Sequence, residues 1–402
     1  MPQPSATSGF SNESAESRAY DYLIAGGGAA GLSLAYHISR EPRLVNQRIL
    51  LIEPVAKDQN DRTWSFWADA PTLFDGIVAH EWGQIAFRSP QFERVFALAR
   101  HRYKMIRGLD FYTFVQQALT GKPQFTRVRG TVEALENTPA GIIATTSAGS
   151  FTARYAFDSR PPQFQKRPGK YRYLLQHFVG WEVETTHDVF DPQTVEFMDF
   201  RGEQQREARF MYVLPFSARR AFIEYTLFSA EMLPKAEYEA AMRKYLHDLG
   251  VTDFRVEAEE AGAIPMTDHP LPAAIGSRII NLGTRAGRAK PSTGYAFKRI
   301  QAHSARLVAA LAATGHPPAN LTGDQWQFHL FDTLLLDIMQ RQGEQTRDIF
   351  TELFRRNSPE RLFDFLDERT SGWENLQVMN SVTPGPFLRS IAHVLRGRPG
   401  QR

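Results

Sequence analysis

The sequence predicts an α/β fold in which a nucleotide-binding lobe is interrupted by an antiparallel sheet and followed by a helical C-terminal region. Three observations carry this prediction. A short apolar run, Tyr20–Ala25, leads into a glycine-bearing turn, Gly26–Gly31, and then a helical pattern from Leu32 to Ser39. Between Tyr171 and Phe228 the stretches HFVGWEVET, TVEFMDF, RFMYVLPF and RAFIEYTLF alternate with period two, as strands of an antiparallel sheet do. After Pro317 the pattern turns helical.

The elements follow in order. Residues 1–18 are polar and Ser-rich, and are expected to be a disordered extension. Arg48–Ile52 is the second parallel strand, Thr63–Arg100 is irregular and aromatic, Leu109–Leu119 is a helix, and Phe125–Phe157 holds several short strands. Arg278–Leu282 returns to a buried strand that runs through Gly283–Gly294 into a helix from about Tyr295 to Ala313. The nucleotide-binding lobe is therefore expected to be discontinuous, built from 19–70, 101–165 and 269–315. The substrate lobe is expected at 71–100 and 166–268, and the helical region at 316–402. A chain of 402 residues exceeds the usual single-core size, which suits such an interleaved arrangement.

Composition excludes several classes of function. Net charge is +3 with both signs interspersed, so there is no continuous basic footprint and nucleic acid is not an expected partner. The chain has no cysteine, which removes thiol nucleophiles, disulfides and zinc–thiolate sites, and no histidine–carboxylate spacing suggests a metal. No run approaches the ~18 apolar residues of a spanning helix, and the residues before the first strand hold no basic segment followed by an apolar run, so a signal peptide is not expected. The expected location is the cytoplasm, free or at the inner face of a membrane.

Gly26, Gly28 and Gly31 form GxGxxG between a strand and a helix, and Glu53 ends the next strand. The first glycine allows the tight turn, the second close approach of a pyrophosphate, and the third helix–strand packing, while Glu53 can accept hydrogen bonds from the adenosine ribose. This unit serves both NAD and FAD. A second glycine turn, IINLGTRAG at Ile279–Gly287, resembles the segment that holds ribityl and pyrophosphate in flavoproteins of the aromatic-hydroxylase architecture, although those relatives carry Asp where this chain has Thr284. The resemblance favours FAD and places Gly283, Gly287 and Gly294 beside the cofactor.

KPSTGYAFK at Lys290–Lys298 follows that turn directly, and five further segments accompany it. They are RTWSFW at Arg62–Trp67, the DSR of Asp158–Arg160, FVGWEVE at Phe178–Glu184, FMDF at Phe197–Phe200, and VLPFS with FIEYT between Val213 and Thr226. Taken together they resemble the flavin-dependent lycopene cyclases of bacteria, most closely from Tyr20 to the helix after Tyr295. The resemblance implies an intramolecular lyase or isomerase that works with reduced FAD, with NAD(P)H as reductant. It also implies lycopene and other acyclic carotenoids as substrates, β-ionone rings as products, and peripheral membrane contact. It places Arg62 and Asp158 among the cofactor-binding residues.

Ring closure is an isomerisation that needs a carboxylic acid, a dry pocket and negative charge near the developing cation. Glu224 in FIEYT matches the acid of the family's motif and has apolar neighbours, which would raise its pKa. It either donates the proton or stabilises the cation as a carboxylate. Relatives often place a second acid before the threonine, where this chain has Tyr225. Asp199 in FMDF is a second catalytic candidate, or else a strand-end acid paired with an arginine. Glu182 and Glu184 are expected on an exposed face, and His177 and His187 in the sheet. Arg62 and Arg285 contact either the cofactor or a carboxylate. The aromatic sheet is either a packed floor or the lining of a polyene channel. Pro386–Arg402, basic and amphipathic, either lies on an anionic membrane or packs on its own domain. Rival functions are an FAD monooxygenase or polyene/prenyl reductase, and a flavin- or carotenoid-binding protein without turnover.

Overall fold

The computed structural model describes residues 19–163, 165–167, 169–318 and 326–396. The expected N-terminal extension, and Arg398 and Arg402 of the basic C-terminal segment, lie outside the described residues.

An eight-stranded sheet has five parallel strands at its centre. Their spatial order is Phe125–Arg129, Ile49–Glu53, Tyr20–Ala25, Gly149–Asp158 and Ile279–Asn281. Leu23, Ile24, Ala25, Leu50 and Ile52 are all buried, because both faces of the sheet are covered and a strand there must be apolar throughout. The helices Ala29–Ser39, Gly108–Leu119 and Phe297–Thr314 cover one face through Leu34, Val115 and Leu307. The antiparallel strands Val132–Asn137 and Ile142–Thr146 fold over the other through Val132, Ile142 and Ala144.

The second sheet has seven strands in the order Phe254–Thr267, Tyr173–Thr185, Arg220–Ser229, Ala208–Pro215, Thr194–Asp199, Gln84–Ser89 and Phe92–Ala97. Its neighbours pair antiparallel, except that Thr194–Asp199 runs parallel to Gln84–Ser89. The period-two pattern here separates two buried surfaces. Val179, Trp181, Ile223 and Leu227 pack against Tyr238, Met242 and Leu246 of the helix Lys235–Asp248. Phe210, Phe222 and Phe228 face the interior of the molecule.

The segment from Thr63 to Arg100, expected to be irregular, instead contains the strands Thr63–Ala68, His80–Trp82, Gln84–Ser89 and Phe92–Ala97. The first two pair with Arg102–Arg107 in a three-stranded sheet, and the last two extend the large one. These strands are short and are covered by side chains distant in sequence, as where Phe87 stacks on Phe354 at 4.6 Å, so local alternation does not mark them.

Among the described residues, five helices follow: Trp326–Arg341, Gln345–Arg356, Pro359–Leu366, Gly372–Asn380 and Pro384–Arg396. Local chemistry starts two of them. Ser358 caps the helix that opens on Pro359, and Ser371 with Glu374 forms a reciprocal capping box. Leu336, Met339, Phe350, Phe354 and Phe363 interleave with Phe197, Phe200 and Phe210, closing the inner face of the seven-stranded sheet. Among the described residues, no helix is long and apolar enough to cross a membrane.

Candidate active site

Ala25, Asp158 and Asn281 end three neighbouring parallel strands in register, so the loops that follow leave the same edge of the sheet. An open α/β sheet holds its ligand at such an edge. Gly26 has φ +99°, and a Cβ on Gly31 would lie 1.9 Å from the Gly26 carbonyl oxygen, so the turn requires glycine at both positions. A Cβ on Gly28 meets no atom within 4 Å. The helix Ala29–Ser39 begins there without a side-chain cap, which leaves its first N–H groups to an anionic ligand. Glu53 lies against the turn, its Oε2 accepting from Gly27 N–H at 2.5 Å.

The late turn packs onto the first. Gly283 has φ +56°, and a Cβ on it would stand 2.7 Å from Ala30 Cβ. Gly287, also left-handed, ends the short helical turn Gly283–Ala286. Asp158, expected to touch the cofactor, is fully buried and bridges Arg160 at 2.8 Å and Arg285 at 3.0 Å. It therefore fixes two arginines beneath the turns.

A cavity of about 310 Å³ opens where these turns meet the inner face of the large sheet. Ala29, Thr284 and Gly294 line it from the glycine turns, and Arg62, Tyr103, Phe197, Tyr212, Phe222, Glu224, Glu260 and Tyr295 from the other walls. The Arg62 guanidinium donates to the Asp61 carbonyl at 2.6 Å. Gly294 has φ +73°, and a Cβ there would fall 1.9 Å from Gln176 Oε1, so this loop is pressed against the sheet.

Glu224 stands on the inner face, opposite Gly180 on one neighbouring strand and Tyr212 on the other. Its apolar sequence neighbours Ile223, Tyr225 and Leu227 point the other way, toward the helix Lys235–Asp248. Its dry surroundings come from Phe222, two residues back on the same face, and from remote residues. Tyr103 Oη lies 2.8 Å from Tyr212 Oη and 3.4 Å from Tyr295 Oη, and Tyr295 stacks parallel to Phe197 at 6.5 Å. Burial pushes the Glu224 carboxyl up to about 8, with a smaller upward contribution from Glu260 and an opposing hydrogen bond from the Thr226 hydroxyl. Burial likewise pushes all three phenols well above their usual range, so they remain neutral. The arrangement is a carboxylic acid that keeps its proton near neutral pH, enclosed by aromatic walls.

Asp199 does not join it. This acid lies outside the cavity lining and is paired with Arg201 Nε at 2.9 Å, the arginine pairing weighed from sequence. Glu182, expected to be exposed, is 8% exposed and bound between Arg107 and Arg220, because its strand lies in the interior of the sheet. His177 is a core histidine between Ser229 at 2.7 Å and Tyr238 at 2.5 Å, and burial lowers it to about 4. Among the described residues, Asp69, His101 and Asp364 lie close enough to share a metal ion, but Arg369 and Arg100 already neutralise the two acids.

The family model for lycopene cyclase proteins matches residues 21–392, which spans both sheets, the cavity and most of the helical region. The chain belongs to the lycopene cyclase family. Among curated relatives, it is 26% identical to the chloroplastic lycopene beta cyclase of Arabidopsis thaliana over 83% of this chain and 68% of that one. It is 24% identical to the lycopene beta-cyclase of Pantoea ananas over 94% of this chain and 98% of that one. Among solved structures, a geranylgeranyl bacteriochlorophyll reductase-like protein from Thermoplasma acidophilum shares the fold with a TM-score of 0.62 at 12% identity, over 94% of this chain and 100% of that one. A flavin-dependent brominase does so with a TM-score of 0.54 at 13% identity, over 95% and 100%.

In this lycopene cyclase family member, the segment Lys290–Lys298 ties the late turn to the helical region. Lys290 is buried between Asp332 at 3.1 Å and Glu368 at 3.2 Å, Ser292 donates to Asp332, and Tyr295 enters the cavity. The helix expected from about Tyr295 starts at Phe297, after this loop. Sequence reasoning missed Tyr103, Tyr212 and Glu260 as cavity residues. The only signal for Glu260 was its period-two spacing with Gly262 and Ile264, which all line the cavity from one strand.

Proposed function

We propose that the chain is a lycopene β-cyclase that works with reduced FAD and closes the acyclic ends of lycopene into β-ionone rings, giving γ-carotene and then β-carotene. The observation that supports this best is Glu224, a carboxyl held protonated near neutral pH in an aromatic cavity that adjoins both glycine turns. The residues present fit FAD. The Gly26–Gly31 turn and the start of the helix Ala29–Ser39 would take the pyrophosphate, Glu53 the adenosine ribose, and Gly283–Gly287 the ribityl side, with NAD(P)H as the reductant. When bound, the reduced flavin supplies negative charge beside the cavity.

The chain's own residues then act as follows. Glu224 gives its proton to the terminal double bond, the neighbouring double bond attacks the resulting cation, and a second proton leaves the new ring. The rings of Phe197, Phe222 and Tyr295 exclude water, and their π faces favour positive charge. The product is an isomer of the substrate, so neither oxidant nor reductant is consumed.

Anaerobic incubation with lycopene and pre-reduced flavin in deuterated water tests this, with pigments separated by chromatography and weighed by mass spectrometry. The expected products are isomers of lycopene carrying one deuteron per ring, with no stoichiometric use of NAD(P)H. The fold shared with the reductase-like protein favours a polyene or prenyl reductase as the second reading. Hydrogenated or oxygenated products would establish that reading or a monooxygenase instead, and unchanged lycopene a binding protein.

Contact with a membrane is part of the same proposal. Leu388 and Leu395 are 62% and 64% exposed on the last helix, which also carries Arg389 and Arg396. An apolar pocket that contains Phe387 of the last helix shares Phe197 and Tyr295 with the Glu224 cavity, which suits entry of a polyene from that side. Leu388→Glu with Leu395→Glu is expected to remove most binding to anionic vesicles while leaving FAD content unchanged. Co-sedimentation equal to that of the unsubstituted protein would refute this surface.

A further inference from the structure

Glu224 has to recover a proton after each turnover, yet it is 9% exposed and faces the interior. A second carboxylate, Glu260, lies in the same row of the sheet, two strands away. Gly180 pairs with Glu224 on one neighbouring strand and with Glu260 on the other, so the two acids flank a residue without a side chain on the same face of the sheet. A Cβ on Gly180 would lie 2.3 Å from the Phe222 ring, which covers this gap.

On the far side of Glu260 is a small cleft lined by Asn60, Arg107, Glu182 and Ala258. Asn60 and Ala258 are exposed, so the cleft reaches solvent. The cavity and the cleft share three lining residues, Thr63, Phe222 and Glu260, which form the partition between them. Of these only Glu260 has a carboxyl group. The Thr63 N–H donates to Glu260 Oε1 at 3.0 Å and holds it in the partition.

We propose that Glu260 relays protons between the outer cleft and Glu224. The proposal rests on the cyclase reading for its purpose and on the partition for its geometry. Glu260 takes a proton from the cleft and passes it to Glu224, which gives it to the terminal double bond. Glu260, left as a carboxylate once it has reloaded Glu224, takes up the proton released by the ring and returns it to the cleft, so no charge accumulates. The charged groups around the relay suit a group that changes state. Arg62 attracts the carboxylate, Asp61 and Glu224 repel it, and the Arg107–Glu182 pair at 3.3 Å lines the cleft. Burial is the largest influence and raises Glu260 above the usual carboxylate range.

The test reads the proton on Glu224 without any carotenoid. The FAD-loaded protein is mixed into deuterated water, and the protonated-carboxyl stretch of Glu224, identified by its loss in Glu224→Gln, is followed by infrared spectroscopy. In Glu260→Gln, exchange of that proton is expected to slow by ~10-fold or more, and Glu224 to titrate at lower pH because a like charge is gone. Glu260→Asp is expected to restore most of the rate. Exchange as fast in Glu260→Gln as in the unsubstituted protein overturns the relay. If the Gln variant does not fold, Phe222→Leu thins the same partition. Faster exchange there supports the route, and an unchanged rate overturns it. Because exchange is read without lycopene, failure of the relay leaves the cyclase reading standing, and absence of ring products leaves the relay standing.

Discussion

Glu224→Gln is expected to abolish ring formation, to leave FAD bound, and to make the protein more stable at neutral pH. Gln preserves the size of the side chain and its hydrogen bond to Thr226 but cannot supply an acidic proton, so turnover should fall by ~10²-fold or more. The gain in stability follows from the pKa. The carboxyl is raised from 4.5 to about 8 in the folded chain, so between those values the unfolded state is ionised while the folded state is not. The stability contribution of the protonated form is complete below the unfolded pKa and is lost as pH rises through the folded one. At pH 7 the native Glu224 therefore costs on the order of 3 kcal/mol relative to a neutral isostere. The difference in thermal midpoint between Glu224→Gln and the unsubstituted protein should be near zero at acid pH and grow toward a plateau above the folded pKa. Glu224→Asp should keep partial activity at best, since the shorter arm misplaces the donor. Asp199→Asn should retain activity, because Asp199 is paired with Arg201 outside the cavity. Near-normal cyclisation by Glu224→Gln would remove Glu224 from the mechanism.

Gly28→Val is expected to remove nearly all bound FAD while the protein remains folded. A Cβ at Gly28 meets no protein atom within 4 Å, so a side chain there starts without a clash, but it would occupy the space that a pyrophosphate needs at the start of the helix. Gly31→Val provides the contrast. Its Cβ would overlap the Gly26 carbonyl oxygen, and the turn itself would have to break, at a cost on the order of 3 kcal/mol or more. Flavin absorbance and circular dichroism on the two variants separate loss of cofactor from loss of fold. A folded Gly28→Val protein with a full complement of FAD would show that the cofactor is held elsewhere.

The sequence by itself determined the local devices. A strand, a glycine turn and a helix within Tyr20–Ser39 need only short-range geometry, since Gly26 must adopt a positive φ and Gly31 must carry no side chain wherever that turn forms. The alternation from Tyr171 to Phe228 likewise fixed a sheet, because the period of a strand is set by its own backbone. Glu224 was legible as an acid in a matched motif.

Only the tertiary structure decided what surrounds that acid. Its adjacent apolar residues turn away from it, since neighbours along a strand point to opposite faces. Apart from Phe222 on its own strand, the residues that keep it dry are Tyr103, Tyr212, Tyr295 and Phe197, brought in from three other strands and a loop. The same rule separated Glu224 from Asp199: both are nearly buried strand acids, but one faces aromatic walls and the other an arginine. Glu260 became visible only through register, because pairing across Gly180 joins residues that no local pattern links. Desolvation depends on which surfaces meet in space, and a sequence read locally does not carry that information.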